Sequence, residues 1–181
     1  MSESIHYTLS EVNLWDQPTF VRIIGPVFEH SSWIAERTWP KRPFGSLSAL
    51  HQSLCETVTA ATEQEKLDLI RAHPDLVGRA ALAGTLTPPS AKEQATAGLD
   101  RLTPKEISTF ERFNQAYREK FGFPFVICAR LNKKNAILEG FRQRLNHSEP
   151  EEIHAAIDEI FKIADFRLRD LVPPPPGASV R

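Results

Sequence analysis

A chain of 181 residues, 41% hydrophobic and 25% charged, has the make-up of a single globular domain that needs no disulfide or metal staple. A formal net charge of −1 removes the basic excess that nucleic acid demands, and no apolar run is long enough to span a membrane. Met1-Ser2-Glu3-Ser4 has neither a basic flank nor an apolar core, so no signal peptide is expected. Cys55 and Cys128 lie far apart without CxxC spacing, which predicts free thiols in a reducing compartment.

In chain order, helix-start signals punctuate the sequence. Thr8-x-x-Glu11, Thr62-x-x-Glu65, Ser90-x-x-Glu93, Thr103-Pro104-x-Glu106 and Ser148-x-Pro150-Glu151 have or approach the capping-box form, in which hydroxyl and carboxylate satisfy each other's backbone amides. Ser46 is a plausible N-cap for the stripe Leu47, Leu50, Leu54 and Val58. The residues from Thr62 to Ala72 read as a helix that Pro74 must end. A proline-rich stretch, about Leu86 to Ser90, is expected to loop between helices. Phe110, Phe113 and Tyr117 form another stripe that stops at Gly122, a fitting C′ residue. Phe123 to Cys128 is either an extended run or buried helix, two readings that periodicity leaves open. Ile137, Phe141 and Leu145 follow at helical spacing. A last helix over about residues 149–172 carries Ile153, Ile157, Ile160, Ala164, Leu168 and Leu171 before prolines stop it. The expectation is an all-α, single compact multi-helix domain over residues 1–172, with a proline-rich mobile tail over 173–181.

Four places invite chemistry. With Ile153 at zero, Arg167 falls at roughly 320° around the last helix and so projects from its apolar face. A guanidinium there needs a partner, either a structural ion pair or a substrate carboxylate or carbonyl. His73 stands at a helix C-terminus, where it is either a cap or a general acid near neutral pH. Ser90 caps a helix with Glu93 closing its box, or Glu93 and Gln94 face a pocket from the first turn, and the two readings can overlap. Gly122 to Ile127 is rigid and apolar, suiting core packing or a wall for a planar heterocycle. There is no HExxH, no CxxC, no GxGxxG or Walker loop and no GxSxG, so metal, dinucleotide and nucleophile-elbow chemistries lack support.

Taken together, these pieces resemble the 2-oxo-4-hydroxy-4-carboxy-5-ureidoimidazoline (OHCU) decarboxylases. The resemblance starts at Phe20-Val21, runs through Gly25 to Ala35 and Arg42-Pro43-Phe44, and continues with Ala72-His73-Pro74-Asp75-Leu76. It then takes in Ser90-x-x-Glu93-Gln94, Phe121 to Ile127 and Ile163-Ala164-x-x-Arg167-Leu168. Each motif is short, but their order and separations are specific.

The resemblance implies an all-α fold, a homodimer, no metal or organic cofactor, and decarboxylation of OHCU to S-allantoin in urate breakdown. It implies His73 as catalytic acid with Glu93 as its partner. Substrate contacts would come from Pro74, Ser90, Gln94 and Arg167, and from Phe123, Phe125, Val126, Ile127, Cys128 and Ala129. Small-molecule substrate and product would be the partners, without nucleic acid or membrane. The chain ends Ser179-Val180-Arg181 instead of a peroxisomal Ser-Lys-Leu tripeptide, so a cytoplasmic location is expected. Two competing expectations remain: an enzyme on a related ureido heterocycle, and a helical interaction module without chemistry.

Overall fold

The computed structural model describes residues 6–173. In chain order it forms α1 (Leu9–Leu14), α2 (Gln17–Ile24), α3 (Trp33–Thr38), α4 (Leu47–Thr59) and α5 (Glu63–Arg71). Then come α6 (Arg79–Leu82), α7 (Pro88–Thr96), α8 (Pro104–Phe121), α9 (Lys134–Arg144) and α10 (Glu149–Leu171). Short 3-10 turns cover Gly25–Val27, Trp39–Lys41 and Ala129–Leu131, and no strand occurs among the described residues. The fold is all-α. Residues 174–181, most of the expected tail, lie outside the described residues, and no described helix is long and apolar enough to cross a membrane.

Helix starts follow the capping chemistry. Thr8 and Thr103 each make the full reciprocal box, with Glu11 and Glu106. Ser148 makes half of such a box, its amide and hydroxyl both donating to the Glu151 carboxylate. Ser46 accepts from the amide of Ala49 at the start of α4. Gly122 closes α8 at φ 73°, a left-handed position that glycine takes without strain.

One expected boundary is different. α7 begins at Pro88 behind Thr87, so Pro88, Pro89 and Ser90 form its first turn and Ser90 is not the cap. The reason is that proline is harmless where helix amides have no partner. The proline-rich stretch therefore opens the helix instead of looping around it.

The chain forms two compact units. Among the described residues, one comprises 6–62 and 163–173, the other 63–162. The first unit packs α2 on α3 and α3 on α4, burying Phe20, Ile24, Ile34, Leu50, Leu54 and Val58 completely. Thr38 and Thr57 share a buried hydrogen bond of 2.8 Å between α3 and α4. The amide of Tyr7 donates to the Leu171 carbonyl at 2.9 Å, tying the start of the chain to the end of α10.

The second unit is built around aromatic rings. Phe125 stacks on Phe141 with centroids 3.9 Å apart, and Tyr117 meets Phe125 edge-on at 5.2 Å. Behind them lies a buried charge cluster. Glu152 accepts from Tyr117 Oη, from Arg144 Nε at 2.8 Å and from His147 Nδ1 at 2.8 Å. Arg144 also donates to the Val126 carbonyl at 2.7 Å and lies over the Phe125 ring. Burial, helped by the Glu152 bond, pushes the Tyr117 phenol far above its ordinary range.

Candidate active site

The candidate site starts where α5 stops. Pro74 has no amide to continue the helix, but the His73 amide still reaches the Ile70 carbonyl at 3.1 Å. The His73 ring folds back over the same turn, with Nδ1 2.9 Å from the Leu69 carbonyl. A carbonyl only accepts, so Nδ1 carries the hydrogen and the tautomer is fixed. That leaves Nε2 as the ring nitrogen without the hydrogen in the neutral form. The residue is 6% exposed, which withdraws the ring from bulk water.

The turn after His73 is unusually constrained. Val77 sits at φ 55°, a left-handed conformation that a β-branched residue adopts only when its surroundings enforce it. A Cβ at Gly78 would lie 2.5 Å from Asp75 Cβ, so only glycine fits there. Gln94 of α7 holds the turn from one direction: its Oε1 accepts from the Val77 amide at 3.0 Å, and its Nε2 donates to the Asp75 carbonyl at 3.4 Å.

α7 itself departs from ordinary amphipathic design. At 100° per residue, Ser90, Glu93 and Gln94 share an arc of about 100°, and all three are buried while Ala91, Lys92, Ala95 and Thr96 are exposed. A surface helix normally turns apolar side chains inward. Here hydroxyl, carboxylate and amide take that place. α7 packs against the Ala129–Leu131 turn.

Pro124 to Cys128 form neither helix nor strand, with Cys128 extended, and Ala129 opens the 3-10 turn, so the buried-helix reading of this run falls. Phe123, Phe125, Val126, Cys128 and Ala129 are buried and Ile127 is half-buried. With no sheet to pair them, its backbone groups are met by side chains. Arg144 takes the Val126 carbonyl, Glu159 accepts from the Cys128 amide at 2.7 Å, and Asn132 donates to the Cys128 carbonyl at 2.9 Å. Burial pushes the Cys128 thiol up, against backbone hydrogen bonds at Leu131 and Arg130 that lower it. Among the described residues, no three His, Cys, Asp or Glu side chains converge as a metal site.

The structure therefore brings the His73 turn, the polar face of α7 and the Phe123–Ala129 segment into one unit. Pro74 is half-buried within the turn. Arg167 belongs to the other unit. It is buried, as its helical angle requires, and Nη1 donates to Glu29 Oε2 at 2.8 Å and to the Val27 carbonyl at 3.4 Å. Lys162 and Arg169 point outward as expected.

Sequence reasoning missed Glu29 as that partner, along with Asn114, Arg118, Arg144 and Glu159. Asn114 had a readable signal: it interrupts the apolar stripe of α8 between Phe110 and Tyr117, and a buried amide in such a stripe needs a reason. A cleft of about 600 Å³ borders the turn, lined by Asp75, Val77 and Gly78 and by Asn114 and Arg118 of α8.

Comparison with known proteins points to one family. The chain is 41% identical over 172 residues to the 2-oxo-4-hydroxy-4-carboxy-5-ureidoimidazoline decarboxylase of Halalkalicoccus jeotgali, covering 95% of this chain and 96% of that one. It is 41% identical over 163 residues to the Haloferax volcanii protein of the same name, covering 90% and 95%. Among solved structures it resembles an (S)-allantoin synthase with TM-score 0.71 and 25% identity, over 91% of this chain and 54% of that one. The family model for OHCU decarboxylase matches residues 13–169, from the end of α1 almost to the end of α10, and the chain belongs to that family.

Proposed function

We propose that the protein decarboxylates OHCU to (S)-allantoin. The observation that carries this reading is the inward polar face of α7, whose Gln94 is bonded to the turn that follows His73. Burying Ser90, Glu93 and Gln94 together does little for stability. It suits a ring rich in donors and acceptors.

The reaction supplies its own electron sink. As the bond to the carboxylate breaks and CO2 departs, its electron pair forms a C=C bond with the neighbouring ring carbon. The electrons of the ring C=N bond move to nitrogen, which takes a proton. The hydroxyl then gives up its proton to become a carbonyl, and the ureido-bearing carbon accepts one from a single side. The net change is loss of CO2 and gain of one proton, so the proposed reaction calls for neither metal nor organic cofactor.

In this scheme His73 delivers the proton through Nε2, and Glu93 orients it. Pro74, Ser90 and Gln94 hold the ring against the wall formed by Phe123, Phe125, Val126, Ile127, Cys128 and Ala129. Water is kept from both faces, which strengthens each polar contact. Arg167, steadied by Glu29, is proposed as a planar donor fork for a carboxylate or ring carbonyl. The reading extends to a cytoplasmic homodimer, for which the sedimentation mass is the check.

The test is circular dichroism of allantoin as it forms. Urate oxidase and hydroxyisourate hydrolase generate OHCU in place, because the substrate also decays by itself to racemic product. A fast signal of one sign is expected with the protein present, and His73→Ala should slow it by about 10²–10⁴-fold. A flat trace from folded wild-type protein would overturn the reading.

A further inference from the structure

Two residues of α8 that the proposed chemistry does not use grip the turn after His73. Asn114 and Arg118 are four apart and share one helix face. Asn114 Nδ2 donates to the Leu76 carbonyl at 2.8 Å. Arg118 Nε donates to both carboxylate oxygens of Asp75, at 2.9 and 3.0 Å.

The Asn114 amide is an odd choice for packing alone. The residue is 7% exposed, and its Oδ1 is buried without a hydrogen-bond partner among the described residues. Flipping the amide would set that oxygen against the Leu76 carbonyl, so the orientation is fixed by the turn. An apolar residue would avoid the orphaned acceptor. What it could not do is hold Leu76.

The turn needs holding. Val77 is left-handed, and Gly78 closes on Asp75. Any drift of Asp75 is passed on to His73, because the ring of Pro74 locks its φ and removes a hinge between them. We infer that Asn114 and Arg118 are positioning residues of the proposed reaction. They fix the backbone of residues 75–77 and thereby the register of the His73 imidazole. The inference rests on His73 being the proton donor.

The experiment uses the full chain with 13C-labelled histidine, the His73 Cε1 signal being identified by its loss in His73→Ala. Arg118→Ala is the main variant, since its half-exposed ion pair adds little to stability. The His73 signal is expected to move, and kcat to fall about tenfold with KM changed less than about twofold, as misplacement of a catalytic group predicts. Asp75→Asn should give the same loss, and the double variant no more than either single one. Asn114→Leu, which removes the orphaned oxygen together with the Leu76 bond, should fold normally yet lose kcat as well. An unmoved His73 signal in Arg118→Ala overturns the inference, and so does a moved signal with unchanged kcat. A wild-type protein that makes no optically active product would instead bring down the proposed function. The His73 signal would then still decide whether α8 sets the imidazole.

Discussion

α4 and α7 both begin behind a hydroxyl residue and both hide one side from water, but they hide opposite things. α4 buries Leu50, Leu54 and Val58, the material of a stable core. α7 buries Ser90, Glu93 and Gln94, none of which contributes much by leaving water. The first helix is shaped by the free energy of folding. The second is not explained that way: its Gln94 is bonded to the turn after His73, and under the proposed function its inward side serves a ligand.

The contrast is broken most directly at Glu93. Glu93→Gln keeps size but exchanges the charged, acceptor-only carboxylate for a neutral amide, and is expected to lower kcat for optically active allantoin by about 10²-fold or more. Its thermal midpoint should stay near wild type. A variant with full turnover would make α7 a structural helix after all. Leu54→Ala is the mirror test. It should lower the free energy of unfolding by about 2–5 kcal/mol, measured by urea denaturation, and leave kcat of the folded fraction unchanged.

The smallest effect concerns a surface box. The Lys134 bond, then the bonds from Thr103, hold the Glu106 carboxyl down at about 2 against an ordinary 4.5. A folded-state pKa below the unfolded one stabilises above the unfolded value and is lost as pH falls through the folded value. Wild type should therefore exceed Glu106→Gln in stability above about pH 4.5, the gap closing toward pH 2. A gap independent of pH would show that the carboxylate charge plays no part.

Much of this was legible in the sequence where the cause is local. The boxes at Thr8 and Thr103 and the half-box at Ser148 involve residues three apart, and the stop at Gly122 depends on one residue's backbone. Ser90 was misplaced because a capping box and a first turn led by two prolines use the same residue types. The inward face of Arg167 could be read from helical angle, but its partner Glu29 stands 138 residues away and only folding brings them together. The same holds for Asn114 and Leu76, 38 apart. For the site, the resemblance named His73, Glu93 and their neighbours. It did not reveal that Gln94 spends its amide oxygen on the turn after His73.

The two cysteines have a use of their own. Cys55 lies in one unit and Cys128 in the other. Burial pushes the Cys55 thiol up to about 12, with the charges of Asp165 and Glu56 adding, and raises Cys128 as well. Because only thiolate attacks an alkylating reagent, the raised values slow alkylation of both thiols, of which Cys55 is half-buried and Cys128 buried. Alkylation of the buried Cys128 would therefore report on local opening around the Phe123–Cys128 segment.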